Sequence, residues 1–191
     1  MGASYMTNPV VFLIDTVVSL YILAIVLRFL FQWTRVDFYN PISQFLVKIT
    51  HPPLKILRRF VPSIGKIDVS SIVLALALQM LADFLILALQ GEIAGIAALV
   101  LYSFKQIVEM VLNIFVFAVF ARAILSWFDP GNYNPASSIL QSLTEPLLIL
   151  CRKVIPDLGG IDLSPLAALV LLQLAKMMIL PPLSQLALLL G

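Results

Sequence analysis

The chain states one pattern twice, at a fixed offset of 94 residues and with no gap needed. Arg28, Trp33, Tyr39-Asn40-Pro41, Thr50, Pro52, Arg58, Pro62, Gly65, Ile67-Asp68 and Ser70 recur as Arg122, Trp127, Tyr133-Asn134-Pro135, Thr144, Pro146, Arg152, Pro156, Gly159, Ile161-Asp162 and Ser164. Of the 52 positions from 28 to 79, 18 are identical in the second copy. A fixed period of this kind means two copies of one structural unit. Each copy reads as an apolar span, a polar hairpin and a second apolar span.

The solvent for such a unit is lipid. Hydrophobic residues make up 61% of the 191 residues and charged ones 12%, against about 25% charged in soluble domains. A net charge of +2 gives no electrostatic case for nucleic acid. The single cysteine, Cys151, excludes an internal disulfide or a cysteine metal cage, and the single histidine, His51, argues against haem or histidine-rich metal sites. No cofactor is expected. The first apolar stretch lacks a basic leader and a small-residue cleavage pattern, so it reads as a span and not as a cleavable signal.

A spanning helix needs about 20 mostly apolar residues. Four segments qualify, at about 10–33, 69–89, 107–128 and 165–180, the last with an apolar tail to Leu190. The expected fold is all-α: a polytopic membrane protein with four transmembrane helices in two tandem repeats, each carrying an amphipathic interfacial hairpin. Residues 1–91 form the first unit, with its hairpin at about 39–66. Residues 92–104 read as an apolar linker, with an extension of the third helix or an interfacial piece as the alternatives, and 105–191 form the second unit, with its hairpin at about 133–160. Pro181-Pro182 predicts a break or kink in the last helix.

Basic residues concentrate in the long loops: Arg35, Lys48, Lys55, Arg58, Arg59 and Lys66 in the first, Arg152 and Lys153 in the second. The positive-inside rule then makes both hairpins cytoplasmic and both termini external. Trp33 and Trp127 would mark the cytoplasmic interface. Two spans per unit give the copies the same orientation.

Within each hairpin, Asn40-Pro41 and Asn134-Pro135 read as helix starts, cap followed by first-turn proline. Ile42, Phe45, Leu46 and Ile49 fall at i, i+3, i+4, i+7 and predict one apolar stripe. Thr50 to Pro53 is expected to end that helix before a second short amphipathic piece, closed by Pro62 and Gly65, with Asp68 or Ser70 capping the next span. Apolar stripe, basic residues and proline punctuation suit a segment lying on anionic headgroups. Such a hairpin either packs over its helix pair and is tied to lipid, or is a docking platform or gate.

Charges within spans need a reason, because each costs about 2.5–3.5 kcal/mol at the bilayer centre. Arg28 and Arg122 are expected to snorkel to the cytoplasmic surface. Asp15 and Glu109, also repeat equivalents, read as solvated helix ends. Asp83 and Lys176 have no charged counterpart in the other copy. They are expected to pair with each other, or Asp83 with an arginine, near the equivalent glutamines Gln79 and Gln173 in a polar core.

No nucleotide, metalloprotease or hydrolase motif occurs, and acid, base and electrostatic stabiliser are not assembled. An enzyme is not expected. The arrangement Arg-x4-Trp-x5-Tyr-Asn-Pro, then Thr-x-Pro, Arg, Pro and Gly-x-Ile-Asp-x-Ser, present twice, resembles the YggT family of small membrane proteins. Its double form resembles the Gram-negative version, which implies the inner membrane. The resemblance implies a role in hyperosmotic tolerance and ion homeostasis, and no catalytic residue. The expected function is a non-enzymatic membrane factor whose hairpins engage unidentified membrane-protein partners. The alternative is an ion or small-osmolyte path formed by a homo-oligomer.

Overall fold

The computed structural model describes residues 3–63, 67–92, 94–128, 134–153 and 162–190. Its architecture is all-α: α1 (Ala3–Trp33), α2 (Pro41–Leu57), α3 (Val69–Gln90), α4 (Ile96–Phe128), α5 (Pro135–Arg152) and α6 (Ser164–Leu190). α1, α3, α4 and α6 contain apolar stretches long enough to cross a bilayer. The amphipathic α2 and α5 follow α1 and α4.

Local chemistry sets the helix ends. Asn40 accepts from the Ile42 amide at 2.9 Å, with Pro41 in the first turn. Asn134 and Ser137 close a reciprocal capping box ahead of α5. α3 stops at Gly91, whose φ of 78° is the left-handed cap that glycine adopts without strain. α1 ends in the same way, but an arginine holds the position: Arg35 has φ 57°, and Val36 N–H closes onto the Phe31 carbonyl at 2.9 Å.

α1 packs on α3 and α4 on α6, so each repeat is a helix pair, and α4 against α3 joins the halves. The core at that junction holds Ile22, Ile25, Val26, Leu30, Ala75, Ala118 and Leu143. α2 and α5 sit together at one end of the bundle, where Asn40 Nδ2 donates to the Pro135 carbonyl at 2.7 Å. The outward surfaces of the spans stay apolar: Phe12, Leu13, Leu81, Phe84, Phe117, Phe120, Met177 and Met178 are all exposed. Patches of this extent are the lipid-facing surface of a membrane protein.

Three expectations about helix limits are corrected. The apolar run read as a linker supplies the first turns of α4, which begins at Ile96. α6 runs through Pro181 and Pro182 to Leu190. Prolines are tolerated within spans; Pro181 and Pro182 take the helical donors from the Met177 and Met178 carbonyls, four residues earlier, without ending the helix.

α2 likewise continues through Pro52 and Pro53. Pro53 has no N–H, so the Ile49 carbonyl four residues earlier loses its helical donor. Tyr21 Oη on α1 donates to that carbonyl at 3.2 Å. At the equivalent positions the second copy has Leu147, which keeps its N–H, and Phe115, which has no hydroxyl. Proline and tyrosine therefore come and go together between the two copies.

Candidate functional site

The repeated polar residues form two latches per hairpin. Arg28 Nη1, on α1, donates to Thr50 Oγ1 at 2.8 Å and to the Val47 carbonyl at 3.3 Å, both on α2. Arg122 Nη1, on α4, donates to Thr144 Oγ1 at 2.9 Å and to the Gln141 carbonyl at 3.4 Å, both on α5. Each threonine donates in turn to the carbonyl one turn back, that of Leu46 or Leu140. The expectation that these arginines snorkel outward is corrected: Arg28 is 9% exposed, and both reach sideways to pin a hairpin helix.

The second latch closes the other end of the hairpin. Arg58 is paired with Asp68, immediately before α3, and Arg152 with Asp162, two residues before α6, at 3.0 Å. Asp68 is buried and also accepts from Ser71 Oγ at 2.9 Å. Burial pushes the Asp68 carboxyl up, but the bonds from Arg58 and Ser71 outweigh it and hold it below the usual range. Asp162 is likewise held down, its burial outweighed by Ser164 and Arg152. In the second copy Glu145 bridges the latches, 2.7 Å from Arg122 and 3.0 Å from Arg152. Its burial is outweighed by Arg122 and Arg152, so its carboxyl also lies low. The first copy has exposed His51 at that position.

The latches fix which face of α2 is free. Ser43, Leu46, Thr50 and Leu54 are buried. Ile42, Phe45 and Ile56 are exposed, and so are Lys48 and Lys55 on the adjoining strip. The single apolar stripe expected from spacing is thus split, Leu46 inward and Phe45 outward. A helix with bundle, apolar and basic sides in sequence fits a membrane interface.

The polar core differs from the one expected. Asp83 on α3 accepts from Ser103 Oγ at 2.6 Å and from Gln106 Nε2 at 2.9 Å, both on α4, and from Gln79 Nε2 at 3.1 Å. Gln79 also donates to Gln106 Oε1 at 3.1 Å. Asp83 is therefore solvated by neutral donors and pairs with neither Lys176 nor an arginine among the described residues. Lys176 Nζ instead donates to Asn113 Oδ1 on α4 at 2.7 Å, and Gln173 is exposed. Asp15 accepts from Ser19 on its own helix, and Glu109 pairs with Lys105 at 3.3 Å. A cavity of about 580 Å³ between α1, α4 and α5 is bordered by Gln106, Glu109 and Asn113.

The CCB3/YggT family description matches residues 7–89 and again 101–183, one match per repeat. The chain belongs to the CCB3/YggT family. It is 41% identical to an uncharacterised protein of Pseudomonas aeruginosa over 176 residues, 91% of this chain and 89% of the relative. To the uncharacterised protein YggT of Escherichia coli K12 it is 34% identical over 171 residues, 89% of this chain and 88% of the relative. A chloroplastic YlmG homologue of Arabidopsis thaliana is 41% identical over 64 residues, 32% of this chain and 24% of that protein. No solved structure matches.

For this CCB3/YggT chain the repeat signature is largely the latch chemistry. Trp33 is exposed at the end of α1. The Trp127 side chain, Gly65 and Gly159 lie outside the described residues. Ser103, Gln106 and Asn113, which complete the polar core and hold Lys176, escaped the sequence reading. Ser103 and Gln106 stand where the first copy has Pro9 and Phe12, so the signal was polar residues gained by one copy on the helix that meets Asp83.

Proposed function

We propose that this CCB3/YggT chain is a non-enzymatic inner-membrane factor whose paired hairpins form a rigid cytoplasmic docking face supporting hyperosmotic tolerance. The observation that carries this reading is the double latch. Two arginine clamps per copy cost conformational freedom, and they hold an otherwise amphipathic helix with one defined face outward. A segment that only capped the bundle would not need its outer face fixed so closely. The excess of basic residues in the hairpins supports a cytoplasmic position for this face.

The test is growth after a hyperosmotic shift in a deletion strain carrying plasmid copies. Lys48→Glu with Lys55→Glu, on the free face, is expected to lose rescue at normal protein level, while Asp83→Asn keeps it. The reverse pattern overturns the reading. It would favour the second one, an oligomeric ion or osmolyte path, to which the polar row Ser103, Gln106, Glu109 and Asn113 along α4 lends support. Potassium flux in proteoliposomes that disappears in Asp83→Asn would establish that alternative.

A further inference from the structure

Arg28 is a buried guanidinium whose hydrogen-bond acceptors, Thr50 Oγ1 and the Val47 carbonyl, are both neutral. Its equivalent Arg122 has the Glu145 carboxylate at 2.7 Å. No carboxylate pairs with Arg28 among the described residues, and a buried charge without a counter-ion is expensive.

Arg28 borders a cavity of about 330 Å³ between the end of α1 and the start of α2. Gln32, Arg35 and Ser43 also line it. Ser43 is 5% exposed, and its Oγ has no hydrogen-bond partner. In the second copy the equivalent hydroxyl, that of Ser137, is used in the capping box. In the first copy Asn40 caps Ile42 instead and sends its amide to Pro135, so the Ser43 hydroxyl faces the cavity unused. The N-terminal turn of α2 adds its partial positive charge. Arg35 makes no ion pair among the described residues and occupies the left-handed position where the second copy has Asp129. Thus the first copy places two arginines and a free hydroxyl about one cavity, and the second copy puts acids at the positions of Arg35 and His51.

We infer that this cavity binds the phosphate of an anionic phospholipid, with Arg28 and Arg35 as charge partners and Ser43 Oγ as donor. Phosphate is the anion that arginine forks and a helix N-terminus recognise together. A lipid is favoured over a free ion by the remaining walls, which include Phe31, Phe38 and Leu46, and by the exposure of the Phe38 ring. The volume lies within the usual ~300–1,000 Å³ of ligand pockets. The inference uses the interfacial position of the hairpin and goes beyond the docking proposal, since it needs no protein partner.

The test is native mass spectrometry of the purified full chain in non-ionic detergent, titrated with phosphatidylglycerol, phosphatidylcholine or inorganic phosphate. One phosphatidylglycerol per chain is expected to survive detergent removal, with phosphatidylcholine weaker. Arg35→Gly relieves the left-handed backbone and Ser43→Ala removes an unpartnered hydroxyl, so both should keep the lipid-free melting temperature. Arg35→Gly should still weaken phosphatidylglycerol binding about tenfold or more, and Ser43→Ala should weaken it too. Equal binding of the two lipids, or variants that bind as wild type does, overturns the inference. Inorganic phosphate binding as tightly as phosphatidylglycerol overturns the lipid assignment.

Discussion

Removing Arg58 and removing Arg152 delete the same signature residue from the two copies, yet the structure predicts unequal costs. Asp68 has a side chain 1% exposed, whereas that of Asp162 is 41% exposed. Stripping the partner from a fully buried ion pair costs about 3–5 kcal/mol. Arg58 itself is 36% exposed, and Asp68 keeps its bond from Ser71, so the expected cost of Arg58→Ala is roughly half that, about 2 kcal/mol. Exposed pairs contribute about 0–1 kcal/mol each. Arg152→Ala breaks two such pairs, to Asp162 and Glu145, but Glu145 keeps Arg122, so about 1 kcal/mol or less is expected. The assay is reversible SDS unfolding in mixed micelles, followed by far-ultraviolet circular dichroism, at neutral pH. A cycle with Asp68→Ala separates pair coupling from lost packing. Equal losses, or a larger loss for Arg152→Ala, would refute the claim that burial sets the strength of this latch.

The same carboxylates predict a pH dependence. Asp68, Glu145 and Asp162 all titrate below their ordinary values when folded, so their stabilisation is complete above the unfolded carboxylate pKa, about 4, and is lost as pH falls through the lower folded values. Wild-type stability should drop on acidification below about pH 4, and the Asp68→Asn variant should drop less; an identical acid profile would count against the assignment. Tyr21→Phe should cost about 0.5–1.5 kcal/mol in the same unfolding assay, and almost nothing in a Pro53→Leu background, where the Ile49 carbonyl regains a helical donor. Asp83→Leu strands the donors of Ser103, Gln79 and Gln106 and should cost about 1–3 kcal/mol, whereas Asp83→Asn keeps an acceptor and should cost less.

The repeat made the pairing of helices legible, because apolar length and a constant offset survive translation into structure directly. The hairpin start was legible too, since Asn40-Pro41 and Asn134-Pro135 act within a few residues. What failed were statements that depend on a distant partner. Pro53 ends a helix unless some other donor reaches Ile49, and Tyr21 does so from 28 residues away. Arg28 snorkels unless a neighbouring helix offers acceptors, and Thr50 with Val47 supplies them. Asp83 attracts a cation unless neutral donors surround it, and Ser103 and Gln106 lie on the next helix. Spacing along one helix also could not say which side of α2 faces the bundle, so Leu46 and Phe45 were read as one stripe.

The central claim is that the hairpin helix is latched at the membrane interface with a fixed outer face. It is tested most directly by spin labels placed at Phe45, Leu46 and Lys48 in a Cys151→Ala background, in phospholipid vesicles. The account predicts collisions with oxygen dissolved in the lipid at residue 45, with a water-soluble nickel chelate at 48, and with neither at 46. Equal access of the nickel chelate to all three positions would contradict it.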